Sequence, residues 1–269
     1  MTVTTLDVLT FNLNNPSRER AERQLEYLAA RPESVLVLTE TADSIGCDLL
    51  ETRFRAAGYD VEFPRPPARG ERGAMIVSRL VTRPGPAKLS YLPHRAPTVT
   101  VETEEAPVDI IGLYVPSRDT SPEKIQRKTR FLEACRTELP LGLNARVVIG
   151  DFNILEPDHT PHYRFFKPFE YQFYRWFAEV GYADAFRTLH PNALAYSWVG
   201  RTGDGYRYDH AHVSTSLART VRNCTYIHEV RTGPDRLTDH SALSLSLALR
   251  PAEPLPIAAQ GTEAVPALF

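Results

Sequence analysis

Val147-Val148-Ile149-Gly150-Asp151-Phe152-Asn153 passes from a short β-branched run directly into two polar side chains. Three consecutive β-branched residues favour a buried strand over residues 146–149. Asp151 and Asn153 are two residues apart, so an extended chain presents both on one side. The arrangement recurs. Residues 4–11 read as a strand ending in Asn12, and residues 35–38 as one that runs on to Glu40. Residues 108–115 deliver Tyr114 near their end. Arg207-Tyr208-Asp209 opens a strand over 208–213, and Asp239-His240 precedes another over 241–249. A single Asp or Asn after a strand is ordinarily a turn former bonded to its own backbone. Four carboxylates, two amides, a tyrosine and a histidine at strand ends exceed turn chemistry and point to one shared pocket.

Helical patterns lie between these strands. After Pro16-Ser17, the side chains of Ala21, Leu25, Leu28 and Ala29 fall on one face. Ser121-Pro122 supplies the N-cap and first turn of a helix reaching about residue 138. Residues 165–180 form another, and further strands are expected at 74–78 and 98–102, bounded by Gly and Pro. Strands and helices without regular βαβ spacing predict an α/β fold of layered, mixed sheets. One domain is expected over residues 1–250. From Pro251 the chain is rich in Pro and Ala without a period, which predicts a disordered tail over 251–269.

With 269 residues, 42% hydrophobic and 24% charged, the chain is long enough for a sizeable core. Thirty-three acids against 31 bases give a net charge of −2, which excludes a globally basic nucleic-acid binder. No run approaches the ~20 apolar residues of a membrane span, and the N-terminus lacks the blocks of a signal peptide. Three cysteines (Cys47, Cys135 and Cys224), with no Cys-x-x-Cys pair, exclude a disulfide framework and a Cys-based zinc site. A reduced, cytoplasmic protein is expected, with no membrane association and no obligate protein partner.

Seven ordered motifs carry a resemblance. Asn12, Glu40, Tyr114 in Tyr-Val-Pro, Gly150-Asp151-Phe152-Asn153, Tyr196-Ser197-Trp198, Arg207-Tyr208-Asp209 and Asp239-His240 resemble those of the endonuclease/exonuclease/phosphatase superfamily. Within it the chain is most similar to the exonuclease III type of abasic-site DNA endonuclease, over residues 6–248. The resemblance implies a four-layer α/β sandwich with two packed mixed sheets flanked by helices. It also implies divalent-metal-dependent hydrolysis of a phosphate ester, with Mg²⁺ as the cofactor and Mn²⁺ as a substitute.

Such hydrolysis requires charge neutralisation, an activated water and stabilisation of the transition state and leaving group. Glu40 offers the hard oxygen that Mg²⁺ prefers; the resemblance makes it a metal ligand, places Asp239 near the same metal, and has Asn12 orient or join that shell. Asp151 is the candidate base that orients or deprotonates water. Asn153 suits the phosphate oxygens as a neutral donor, and Tyr114 suits them through its phenol. Asp209 is expected to pair with His240 and favour the imidazolium, which would face developing negative charge. His210 and His212 share a strand face, but two histidines without a third ligand are weak evidence for a metal, and both are expected to face solvent. His159 and His162 are likewise left out of the metal site.

The motifs do not choose among phosphate esters. Residues 117–130 carry five bases, including Arg118, and residues 162–176 interleave basic and aromatic side chains, as nucleic-acid contacts do. A solvated helix face and an aromatic helix packed on a sheet explain those two segments equally well. Trp198 resembles the abasic-pocket tryptophan of exonuclease III relatives, although the stretch before it is shorter and Val199 stands where an aromatic is usual. Arg207, Arg118 and Trp198 are therefore the expected substrate contacts. The leading expectation is a DNA repair phosphodiesterase acting at abasic sites or 3′ ends. The alternative is the same machinery on a small phosphoester such as a nucleotide, phosphoinositide or specialised metabolite.

Overall fold

A computed structural model describes residues 5–160 and 163–258. In chain order the strands are β1 (Leu6–Asn12), β2 (Val35–Thr41), β3 (Asp60–Glu62), β4 (Gly73–Ser78), β5 (Thr82–Pro84), β6 (Thr98–Val101), β7 (Val108–Tyr114), β8 (Arg146–Asp151), β9 (Tyr182–Asp184), β10 (Trp198–Val199), β11 (Gly205–Tyr206), β12 (Asp209–Ser214), β13 (Val221–Ile227) and β14 (Ala242–Leu247). The helices are α1 (Arg18–Ala29), α2 (Ile45–Ala56), α3 (Pro122–Glu138), α4 (Pro168–Glu179), α5 (Ala185–Leu189) and α6 (Glu229–Thr232).

Two six-stranded sheets result, ordered β13-β14-β1-β2-β4-β3 and β5-β6-β7-β8-β12-β9. Each is antiparallel except for one central parallel pair, β1–β2 in the first and β7–β8 in the second. Alternation along each strand divides the apolar residues into layers. Leu6, Val8, Val35 and Val37 meet Ile110, Val147, Ile149 and Ala211 between the sheets. Leu9, Phe11, Leu36 and Leu38 pack outward with Cys47, Leu50 and Phe54 of α2 and with α1. Ile111, Leu113 and Val148 pack outward with Phe131 of α3 and with Phe173 and Phe177 of α4. The four-layer sandwich of two mixed sheets is the expected one.

The parity of this alternation positions the site. Residues 6 and 8, 110, 147 and 149, and 211 point into the inter-sheet layer, so Asn12, Tyr114, Asp151 and Asp209 continue the same rows at its edge. The apolar rows become polar where the sandwich ends.

Local chemistry explains most element boundaries. Ser17 caps α1 by accepting the Arg20 N–H, and the buried face of α1 includes Gln24, whose amide donates to the Leu13 and Leu237 carbonyls. Pro122 opens α3 after Ser121 as expected, but the Ser121 hydroxyl donates to Asp119 Oδ1 and does not cap the helix. Among the described residues, nine elements have no counterpart among the expected ones: α2, α5, α6, β3, β5, β9, β10, β11 and β13. Helix α2 begins Ile45-Gly46-Cys47, where glycine weakens the helical pattern; a side chain at Gly46 would stand 2.1 Å from the Pro16 carbonyl oxygen. Strand β13 carries a bulge between Val221 and Asn223 that breaks its period of two.

Residues 251–258 lie against the fold. Pro251 bridges Thr103, Pro254 bridges Leu80, and the Leu255 and Ala258 amides donate to the Arg79 and Ala57 carbonyls. The rest of the expected tail, 259–269, lies outside the described residues, as does His162.

Candidate active site

Four C-terminal strand ends and two N-terminal ones converge on one edge of the sandwich. Strands β1, β2, β7 and β8 deliver Asn12, Glu40, Tyr114 and Asp151. Strand β12 runs antiparallel to β8 with Asp209 directly opposite Asp151, and His240 lies just before β14, where Trp198 bridges it.

Glu40 reaches the edge through a break in the strand. The β2–β4 register shifts between Thr39 and Thr41, and Glu40 takes φ 53°, the left-handed region uncommon for a residue with a side chain. The bulge turns the carboxylate out of the ladder toward the pocket. Gly150, with φ 151°, is required where β8 crosses β7, since a Cβ there would lie 2.1 Å from the Leu113 carbonyl oxygen. Asn153 joins Asp151 by a turn, not by strand alternation. Its φ is 48°, its N–H donates to Asp151 Oδ1 at 2.9 Å, and its Nδ2 donates to Asp151 Oδ2 at 3.2 Å and to the Val115 carbonyl at 3.1 Å. Asn12 Nδ2 donates to Asp151 Oδ2 at 3.1 Å, while its Oδ1 accepts the Asn14 N–H at 2.8 Å.

Asp151 is fully buried. Burial, the Asp209 carboxylate and the Glu40 carboxylate raise its carboxyl well above the usual range, against the opposing pull of His240. His240 Nδ1 lies 2.8 Å from Asp209 Oδ2. Burial alone would lower its pKa, but the carboxylates of Asp209, Asp151 and Asp239 outweigh that and raise it to about 10. These carboxylates therefore favour the imidazolium at neutral pH. Burial and the Glu40 carboxylate push the Tyr114 phenol up, so it stays a neutral donor, and the Arg95 guanidinium sits 4.6 Å from its ring centre.

Asp209 is held from three sides. Besides His240, its N–H donates to Ser197 Oγ at 3.1 Å, and its carbonyl accepts the Tyr226 hydroxyl at 2.6 Å. Lys128 Nζ donates to the Asn153 carbonyl at 2.7 Å and pairs with Glu170. These supports were not anticipated. Tyr226 lies on the strand hidden by the bulge, and the lysine faces the site only because α3 packs there.

One ligand atom each from Glu40, Asp151 and His240 lies within 4.8 Å of the others. Two hard carboxylates crowded enough to raise one pKa fit an oxygen-preferring divalent cation. His240 is the weakest ligand of the three, because a protonated ring has no free lone pair. Asp239, expected beside the metal, stands outside this cluster. It is exposed and accepts from Trp198 Nε1 at 3.1 Å and Asn14 Nδ2 at 3.0 Å, anchoring both.

Three expectations are corrected. Arg207 is fully buried, its Nη2 donating to Glu156 Oε2 at 2.9 Å, Asp184 Oδ2 at 2.6 Å and Tyr174 OH at 3.0 Å, so it ties α4 and β9 to the segment after β8 and is closed off from solvent. The Arg118 side chain is 1% exposed, tied to Glu170 and to the Phe165 carbonyl. His210 and His212 are buried at 0% and 1% exposure, because α4 covers that face of β12. Replacing Arg207 with Met should cost about 3–5 kcal/mol, since Asp184 and Glu156 lose their shared buried countercharge; urea unfolding at neutral pH measures it.

No protein-family model matches the sequence, and no curated protein matches it. Solved structures do. An AP endonuclease from Archaeoglobus fulgidus aligns with TM-score 0.76 and 24% identity, covering 90% of this chain and 99% of its own. The 3′ phosphatase NExo from Neisseria, bound to a product DNA hairpin, aligns with TM-score 0.75 and 22% identity over 90% of this chain and 99% of its own. The AP endonuclease LMAP from Leishmania major gives TM-score 0.72 and 20% identity over 90% and 87%. The sandwich of two mixed six-stranded sheets flanked by helices is the architecture this protein shares with these structures.

Proposed function

We propose that the protein is a divalent-metal-dependent phosphodiesterase that hydrolyses DNA at abasic sites or 3′ ends. The observation that carries this reading is the meeting of Glu40, Asp151 with its two asparagines, and the Asp209–His240 pair at one edge. Glu40 and the adjoining carboxylate would hold Mg²⁺, or Mn²⁺ in its place, which when bound neutralises phosphate charge and polarises the scissile group. Asp151 would orient water, its carboxylate fixed by donors from Asn12 and Asn153. His240 would face the phosphate with its protonated ring, and Tyr114 and Asn153 would add neutral donors. Trp198 stands beside His240 and near Tyr206 and Tyr208, with ring centres 5.5 and 6.0 Å away, a setting suited to a nucleotide sugar or base.

The fold neighbours, an AP endonuclease and a 3′ phosphatase bound to a DNA hairpin, support DNA as the substrate class. The three cysteines are buried and free, which supports a reducing compartment such as the cytoplasm. Among the described residues no helix is long and apolar enough to cross a membrane.

One observation favours a small phosphoester instead. Arg118 and Lys128, two bases of the 117–130 segment, are buried in ion pairs with Glu170, so they are not free to follow a DNA backbone.

The deciding experiment is cleavage of a labelled duplex carrying one abasic analogue, beside an undamaged duplex, in Mg²⁺ and in EDTA. A Mg²⁺-dependent nick at the lesion alone, with binding weakened steeply by salt, is the expected result. Cleavage of neither duplex by protein that still hydrolyses a generic phosphoester would overturn DNA as the substrate. Trp198→Ala should raise KM on the abasic duplex about tenfold, the scale of one lost base or sugar stack; steady-state kinetics on that duplex checks it.

A further inference from the structure

Behind β12, on the face opposite Asp209, lies a second cluster of ligating side chains. His210 and His212 point away from the inter-sheet core into the layer beneath α4, where the rings of Phe152, Phe177 and Tyr174 surround them. Asp184 ends the neighbouring strand β9, directly opposite His212. One ligand atom from each of Asp184, His210 and His212 lies within 4.8 Å of the others. Both ring nitrogens of His212, and Nδ1 of His210, are buried without a hydrogen-bond partner among the described residues. Buried polar atoms are normally satisfied, so three unpaired ring nitrogens call for an explanation. A cleft of about 330 Å³, lined by Asp158, Tyr174, Asp184 and His212 among others, opens onto the cluster and gives an ion a way in.

We propose that Asp184, His210 and His212 bind one transition-metal dication, with Zn²⁺ as the fitting chemistry. Two imidazoles and one carboxylate suit zinc and its neighbours better than magnesium, which prefers all-oxygen surroundings. A neutral imidazole offers one nitrogen lone pair, so His212 supplies one ligand atom. His210 Nε2 lies 2.9 Å from the Ile154 carbonyl, which leaves Nδ1, 3.8 Å from Asp184 Oδ2, to the ion. Tetrahedral coordination brings donor atoms to about 3.4 Å apart, a closure of about 1 Å reached by small side-chain rotations.

Asp184 Oδ2 already accepts from Arg207 Nη2 and from the Tyr174 hydroxyl at 2.7 Å. Metal binding exchanges the Tyr174 bond for the ion and keeps Arg207 as the outer contact that orients the carboxylate. The guanidiniums of Arg207 and Arg187 are matched by the carboxylates of Asp184 and Glu156, which spares the ion an uncompensated cation nearby. The ion would pin β9 to β12, whose first residue is Asp209, and so stiffen the strand that orients His240. This site does not depend on the proposed DNA activity.

The test uses the full-length Glu40→Gln protein, which weakens the active-site cluster as a competing metal site. Metal-free protein is exposed to Zn²⁺, desalted and analysed for metal; a second sample is loaded with Cu²⁺ for pulsed electron paramagnetic resonance. About one Zn²⁺ per chain, a Cu²⁺ signal from two imidazoles, and loss of the ion on adding His212→Phe are expected. Phenylalanine keeps the ring stack with Phe177, so the metal-free melting temperature should change little. No retained Zn²⁺, a signal from fewer than two imidazoles, or an ion that survives His212→Phe would overturn the site. If His212→Phe does not fold, the imidazole count decides alone, because the active-site cluster contains only one histidine.

Discussion

Asp151→Asn should abolish metal-dependent phosphoester hydrolysis, lowering kcat by about 10³-fold or more while the fold survives. A positioned base contributes on the order of 10²–10⁴-fold, and this carboxylate also adds negative charge to the cluster with Glu40. The amide keeps the size of the side chain but has no proton affinity at the position facing water. It also turns an Nδ2 toward donors that Asp151 now accepts, from Asn12 or from Asn153. That mismatch costs about 1–3 kcal/mol, a loss that leaves a protein of ordinary stability folded. Circular dichroism and a melting curve measured with the kinetics separate the two effects. Activity within tenfold of the parent, from folded protein, would remove Asp151 from the chemistry.

The second large effect is on pH dependence. Asp209→Asn should lower kcat by about 10²–10³-fold at pH 8, the scale of one lost charged donor at the transition state. The cause is the charge of His240, whose pKa of about 10 rests on the neighbouring carboxylates, Asp209 first among them. Without that partner the largest attraction is gone, burial is opposed only by Asp151 and Asp239, and the ring loses its proton at lower pH. The alkaline limb of kcat/KM should accordingly move to lower pH from near pH 10. Stability follows the same linkage. A histidine whose folded pKa is raised contributes stability that is complete below about 6.5 and lost as pH rises through about 10. Asp209→Asn should therefore cost on the order of 3–5 kcal/mol at pH 6, as for a broken buried pair, and much less above pH 10. Urea unfolding at the two pH values reads the difference; an equal loss at both would mean that the Asp209–His240 contact is not ionic.

Several features were readable because they are local. Apolar alternation marks β1, β2, β7, β8 and β14, and the polar residues that end or precede these strands, Asn12, Glu40, Tyr114, Asp151 and His240, meet in space. The elements without a sequence expectation are either very short, such as β3, β9 and α5, or interrupted, α2 by Gly46 and β13 by its bulge. Charge misled in two places. Arg207 and Arg118 read as surface phosphate contacts because arginine is ordinarily exposed, yet Glu156, Asp184 and Glu170 from distant segments enclose them.

The sequence by itself determined the alternation that separates the faces of each strand and the set of polar groups placed at the strand ends, since both follow from a period of two and from where an apolar run stops. Only the tertiary structure decided which groups share a surface. It set Asp209 opposite Asp151 through the β8–β12 register, turned Glu40 inward at a bulge, moved Asp239 to Trp198 and buried His210 and His212 under α4. The reason is physical. Whether a side chain is solvated, paired or available to a ligand depends on what covers it, and the covering elements here come from as far away as residues 12, 128 and 240.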